Sequence, residues 1–549
     1  MSQPDGDISA SKGDPEKHLQ DPEQHLYSHE RHGSVQGKLR GSIAVQHVSD
    51  DLVKDGQVYS MNDVDPALDA KIRLVNKPGL NVAEAIDDIG WTGWQLKLFF
   101  LNGFGYAADS LILLLQSVTA GQAAKEFHPS FSYGLTAAAY TGMLVGALFW
   151  GLSADIIGRK FAFNISLFIC SVFAIVAGAS PNWIVLGLFT CLAAFGAGGN
   201  LVLDSTLFLE FLPGRYQWVI TLMACWWGLA PVVAAGFAWP LLSIPKYYCE
   251  EATDCPRSSN MGWRYIWFAN GGLVLVCSIL RVTVIRMKET PKYLLAKGQD
   301  EEVIKIFEYI SNKYNRPTSL TLEKLQACGP IISTYGNSRY GFSELVAHLK
   351  GLFQTRLLGL STGLIWLSWT LIGLAYPLFY VFLPDFLASR GARTGEASPY
   401  YTWRNYMITN TVGIFGPVLA GFMCNNKYLG RRYTMVIGAL LSMAFFFAYT
   451  AVRTATQNLG FTCAIYFVVN VYYGTLYAYT PEVLPSAHRA TGYGIAIGCN
   501  RVMGLVSAFV AAYANTATSA PIYVCAALYI AMAFVAWVMP FEPYGRRSM

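Results

Sequence analysis

Gly151-Leu152-Ser153-Ala154-Asp155-Ile156-Ile157-Gly158-Arg159-Lys160 is the stretch on which the fold turns. It follows one long apolar run and precedes another. A tight turn between two helices needs glycine, which Gly158 supplies. Asp155 falls at a helix C-terminal end, where its charge opposes the helix dipole, so it needs a cation or a helix N-terminus nearby. Arg159 and Lys160 place two positive charges just past the turn. A degenerate copy stands in the second half of the chain: Asn425-Asn426-Lys427-Tyr428-Leu429-Gly430-Arg431-Arg432. It too sits between two apolar runs. Two copies at matching positions are an internal repeat, and duplicated six-helix units are a hallmark of membrane carriers.

Outward from these loops the chain is mostly apolar. Of 549 residues, 53% are hydrophobic and 14% charged, against roughly 25% charged in soluble proteins. Mean hydropathy is +0.34. This composition excludes a disordered chain and a disulfide scaffold and speaks against a soluble enzyme. A spanning helix needs about 20 mostly apolar residues. Such runs occur at 96–118, 133–153, 161–180, 184–208, 218–243, 264–287, 357–388, 403–424, 434–453, 458–480, 490–514 and 521–540. The expected fold is all-α, with twelve transmembrane helices in two pseudo-symmetric six-helix bundles. Expected boundaries are a polar, largely disordered tail at 1–90, bundles at 91–287 and 356–541, a hydrophilic linker at 288–355 and a short tail at 542–549.

Lys and Arg in alternate loops set the orientation. One set carries Arg159 and Lys160, Arg215, Lys288, Lys292, Lys297, Lys427, Arg431, Arg432, Arg489, Arg546 and Arg547. The other set is poorer, so the first belongs in the cytoplasm, with both termini and the linker. No apolar signal segment follows Met1, and the tail is expected to stay cytoplasmic. That tail holds five of the eight His, and a solvated tract explains them better than a metal site. Cys249 and Cys255 share a polar loop on the opposite side, where a disulfide is chemically allowed. The other cysteines lie mostly in apolar runs and act as small apolar residues. The net charge of +5 is scattered, with no nucleic-acid patch.

Asp155-x-x-Gly158-Arg159-Lys160 resembles the signature of the major facilitator superfamily. Glu210-Phe211-Leu212-Pro213-Gly214-Arg215, Pro481-Glu482-Val483-Leu484-Pro485 with Arg489, Glu289-Thr290-Pro291 and Pro540-Phe541-Glu542-Pro543 look like its sugar-porter-type branch. Ala85-Ile86-Asp87-Asp88-Ile89-Gly90, Asp109 and Gly196-Ala197-Gly198-Gly199-Asn200 resemble the synaptic-vesicle-protein-2-related carriers, in a fungal style. The resemblance covers residues 82–546. It implies alternating access and a charge network among Asp155, Gly158, Arg159, Lys160, Glu210, Arg215, Gly430, Arg431, Arg432, Glu482 and Arg489 that gates the cytoplasmic side. The Gln pair usual in the seventh span of sugar porters is replaced by Trp366, Trp369, Tyr376 and Tyr380. The fourth span has no Arg to pair with Asp109. Both departures argue against a hexose, and the resemblance to a branch that includes carriers of small organic acids favours an organic ion.

Ionisable groups inside a membrane are costly and face a cavity or a partner. Asp109 in the first span and Arg501 in the eleventh fall near mid-depth. Asp109 is a candidate proton carrier or a helix-joining salt bridge. Arg501, beside Asn500, is a candidate anion partner or a permanent partner of Asp109. Asp204 is a second proton candidate or a gate member. Arg281 and Arg286, near the end of the sixth span, are expected to snorkel to the interface. Trp226, Trp227, Trp366, Trp369, Tyr376, Tyr472 and Tyr473 line a substrate cavity or pack between helices. No catalytic constellation, metal spacing or nucleotide-binding motif appears, so neither cofactor nor metal is expected. The reading is a monomeric plasma-membrane carrier of a small organic solute, driven by protons. An exporter of the same fold and a non-transporting sensor are the alternatives.

Overall fold

The computed structural model describes residues 70–71, 85–157, 159–251, 255–285, 288–329, 349–380, 398–485, 488–513 and 520–544. The His-rich tract, Gly158, Arg286, Arg546 and Arg547 lie outside them, as do the side chains of Asp155 and Tyr380. Among the described residues, twelve helices are long and apolar enough to cross a membrane: Gly93–Phe127, Gly134–Gly151, Arg159–Gly178, Trp183–Glu210, Gly214–Leu241, Gly262–Thr283, Arg356–Phe379, Pro399–Cys424, Gly430–Tyr449, Ala455–Val483, Thr491–Ala511 and Pro521–Val538. Each overlaps one expected span.

Helix starts follow local chemistry. The Thr92 hydroxyl accepts from Trp94 N–H at 3.2 Å, while Gln95 reaches back to the Thr92 N–H at 2.9 Å. This capping box opens the first span, and Thr454 with Gln457 repeats it at the tenth. The outward faces stay apolar. In the second span Val145, Leu148 and Phe149 are exposed while Ala139, Met143 and Ala147 are buried. In water such a band would drive association; in a bilayer it faces acyl chains. The first span has 35 residues, or about 52 Å of helix, against roughly 30 Å of hydrocarbon. Its last turns therefore stand beyond the membrane.

The two bundles meet through small residues, which let backbones approach without a hydrophobic drive. The Tyr140 ring fills the space where a Cβ on Gly504 would stand. Gly228 lies against Ile414, with 3.4 Å left for a Cβ, and Gly474 against Ala224, with 3.2 Å left. Four short helices complete the description: α1 Ala85–Ile89, α2 Pro291–Ala296, α3 Asp300–Tyr314 and α4 Leu322–Ala327. α3 buries Val303, Ile306, Phe307 and Ile310 and packs against α1.

Candidate transport site

Asp109 and Arg501 meet at the middle of the interface between the bundles. One guanidinium nitrogen of Arg501 lies 2.8 Å from each oxygen of the Asp109 carboxylate. Trp227 in the fifth span donates its indole N–H to the same carboxylate at 3.1 Å. Asp109 is 0% exposed and Arg501 1%. A buried charge pair persists only when both partners are well hydrogen-bonded. Arg501 Nε has no partner among the described residues, so the guanidinium keeps donor capacity.

Aromatic rings enclose the pair. Trp227 packs on Tyr376 and Tyr473, with centroids 4.9 and 5.2 Å apart. Tyr473 and Tyr477 are 4.7 Å apart, and Trp369 lies 4.8 Å from Tyr477. Tyr106, three residues before Asp109 on one helix face, packs against Tyr477 at 5.9 Å. Asn500 donates weakly, at 3.5 Å, to the Trp369 carbonyl and the Tyr473 hydroxyl. Tyr106 and Tyr477 were not singled out from sequence, although the i,i+4 spacing of Tyr473 and Tyr477 carries that signal. The remaining aromatic candidates stand elsewhere. Trp226 packs among Phe99, Phe100 and Phe104. Trp366 donates to the Gly492 carbonyl at 3.1 Å beside Phe353. Tyr472 packs on Tyr529.

A second buried pair corrects the expectation that Arg281 snorkels. Arg281 is 1% exposed and lies 3.1 Å from Asp204. It also donates to Phe163 O at 2.8 Å, Leu101 O at 3.2 Å and Asn200 Oδ1 at 3.3 Å. Its guanidinium stacks on the Phe163 ring at 3.4 Å. Gly105 makes the room, since a Cβ there would overlap the Asp204 carboxylate. The sixth span widens into a π-helical turn at Arg281–Ile285, a feature frequent at functional sites. One Asp204 oxygen has no described hydrogen-bond partner.

At the end bearing Arg159, the two halves carry the same device. Arg159 pairs with Glu210, and Arg431 pairs with Glu482 at 2.9 Å. Both pairs span 51 positions in sequence. Glu542 accepts from the backbone N–H groups of Arg431 at 2.9 Å and Arg432 at 3.0 Å, an anion on a helix N-terminus. Gly430, at φ 57°, lies against that carboxylate. Arg432 donates to Trp537 O at 2.7 Å and Arg489 to Leu484 O at 3.4 Å. Lys160 and Arg215 are exposed. Glu542 was not assigned a role from sequence.

At the other end Cys249 and Cys255 form a disulfide, with Cα atoms 5.7 Å apart. The loop is tied to the protruding first span: Cys249 N–H donates to Gln122 at 3.1 Å, and Lys125 donates to Cys249 O at 2.9 Å. Glu126 accepts both guanidinium arms of Arg264 at 2.7 Å, a fork that sequence reading missed.

Residues 98–508 match the family model described as Major Facilitator Superfamily. The chain belongs to that superfamily. It is 38% identical to "MFS siderochrome iron transporter 1" of Ceriporiopsis subvermispora, over 90% of this chain and 94% of that one. At 26% identity it is similar to the synaptic vesicle 2-related protein of Rattus norvegicus, over 85% and 81% of the two chains. It is equally identical to the niacin transporter NiaP of Acinetobacter baylyi, over 78% and 90%. Its fold is that of the proton:xylose symporter XylE bound to 6-bromo-6-deoxy-D-glucose, at TM-score 0.63 and 16% identity over 83% and 98%. This superfamily member is therefore an integral, multi-pass secondary transporter of a solute. The resemblances read from its motifs to sugar-porter-type and synaptic-vesicle-2-related carriers hold.

Proposed function

We propose that this transporter takes up a small organic acid together with a proton across the plasma membrane, with Asp109 as the proton site and Arg501 as the anion site. The observation that carries this reading is the Asp109–Arg501 pair, which joins the two halves inside an aromatic enclosure. One guanidinium then serves two anions in turn. Arg501 stays charged when buried. When Asp109 is ionised, the two groups neutralise each other and the anion site is filled from within. When Asp109 takes a proton, its hold on Arg501 weakens, and a substrate carboxylate can replace it. The proton and the anion then cross together. Asp204, held by Arg281, is the reserve proton site in this reading.

The rings of Trp227, Tyr376 and Tyr473 favour a flat, compact acid. The niacin-carrying relative accords with that choice. A siderochrome is the second reading, favoured by the 38% identity of one relative, but ring centroids about 5 Å apart leave a bulky chelate no room unless the cluster opens.

The test is uptake of labelled organic acids, hexoses and ferric chelates into cells expressing the chain, at two external pH values. Saturable acid uptake, faster at the lower pH, is expected. Uptake of a chelate or hexose but of no acid overturns the substrate assignment; indifference to pH overturns the coupling. Arg501→Lys keeps the charge and loses the planar fork, and apparent affinity is expected to fall about tenfold, equivalent to ~1.4 kcal/mol.

In this reading the Arg159 end is cytoplasmic and the Cys249 end faces outward. After mild reduction, an impermeant maleimide is expected to label Cys249 and Cys255 on intact cells. Labelling that needs permeabilised cells reverses the orientation.

A further inference from the structure

Lys71 and α1, described ahead of the first span, make polar contacts with the linker and with the loop after the fourth span. Lys71 Nζ lies 2.6 Å from Asp300 at the start of α3. Asp87 on α1 accepts from Gly214 N–H at 2.9 Å, directly after the Glu210-Phe211-Leu212-Pro213 segment. Its neighbour Asp88 accepts from the Ser319 hydroxyl. Ile86 and Ile89 are buried beneath these contacts. α1 ends four residues before the first span begins, and that span carries Asp109.

Ser319 stands in the connection Asn315-Arg316-Pro317-Thr318-Ser319-Leu320 between α3 and α4. Asn315, at φ 50°, ends α3 and turns the chain outward. Arg316 and Pro317 are exposed and Ser319 is half-buried. An Arg three residues before a Ser, on an exposed turn broken by Pro, suits a kinase whose acidic groove reads basic charge. Asp88 accepts from the hydroxyl, Asp87 is its neighbour on α1, and Lys324 donates to the Ser319 carbonyl at 2.6 Å. The Asp87 carboxyl is already held above its ordinary value, first by burial and further by Asp88, with the Gly214 N–H opposing.

We propose that Ser319 is a phosphorylation site whose modification undocks α1 from the linker helices. An arginine-directed kinase would transfer the terminal phosphoryl group of a nucleoside triphosphate to Ser319 Oγ. The Oγ–P bond forms, the bond to the β-phosphate oxygen breaks, the nucleoside diphosphate leaves, and the hydroxyl proton passes to the kinase base. The product adds a charge of about −1.5 to −2 where Asp88 now accepts a hydrogen bond. Repulsion from Asp88 and Asp87 pushes α1 away, while Lys324 gains a partner on the linker side. The Asp87–Gly214 bond ties this event to the Glu210 segment, and the short step from α1 to the first span ties it to Asp109. The inference rests on the cytoplasmic placement of the linker.

The experiment uses the full chain in detergent, with an arginine-directed kinase and labelled ATP. Ser319 is expected to take up phosphate, and Ser319→Ala to lose that label. Hydrogen–deuterium exchange at the α1 amides reports docking. Phosphorylation is expected to speed that exchange about tenfold, the effect of ~1.4 kcal/mol, and kinase treatment to leave it unchanged in Ser319→Ala. No label on Ser319 overturns the site, and label with unchanged exchange overturns the switch. Labelling of Ser319 on intact cells by kinase and ATP added outside overturns the orientation alone.

Discussion

Asp109→Asn is expected to abolish pH-dependent accumulation of substrate while sparing exchange of substrate across the membrane. Asn keeps the shape of Asp and can still accept from Trp227, but it cannot take and give a proton. Counterflow in proteoliposomes should persist, and accumulation driven by a proton gradient should disappear. The change also leaves Arg501 buried without its counter-charge, which costs about 3–5 kcal/mol where no other group compensates. Asp109→Asn with Arg501→Gln removes both charges and is expected to recover thermal stability in detergent without recovering accumulation. Native, pH-dependent accumulation by Asp109→Asn would move the proton site elsewhere, first to Asp204.

Arg281→Ala is expected to be the most damaging single change to folding. It strips Asp204 of its cation and removes the donor to the Phe163 and Leu101 carbonyls and to Asn200. Breaking a buried pair by removing one partner costs about 3–5 kcal/mol, a large share of a typical stability of about 5–15 kcal/mol. Low yield and a depressed melting temperature in detergent should follow. Arg281→Met with Asp204→Leu replaces the pair by apolar groups and is expected to restore much of the loss. A native melt for Arg281→Ala would show that the pair holds nothing together. If the double variant also keeps native pH dependence, Asp204 carries no coupled proton.

The spans were legible because length and apolarity alone define them, and the positively charged loops marked which ends lie together. The repeat was visible in Arg159 and Arg431 because both follow a glycine in sequence. Partner choice was not legible. A helix that is apolar on every side gives no period from which its rotation can be read, so nothing in the sixth span announced that Arg281 turns inward. The space Gly105 leaves for Asp204 belongs to the first span, far away in sequence. Asp109 and Arg501 could be placed near mid-depth by counting residues, but that they touch depends on the angle between bundles. Tyr106 and Tyr477 escaped because tyrosines are common in membrane helices, and only the packing separates this cluster from the interfacial ones.

The Arg159–Glu210 and Arg431–Glu482 pairs each lie within their own half. The Asp109–Arg501 pair crosses between the halves. So do neutral contacts: Phe131 on Phe509, Trp239 on Tyr400, Trp218 on Phe422. A rocking motion about the central pair would separate and re-form these aromatic contacts at either rim. Exposure of such rings to water carries a heat-capacity change. The balance between inward- and outward-facing states is then expected to shift with temperature along a curve.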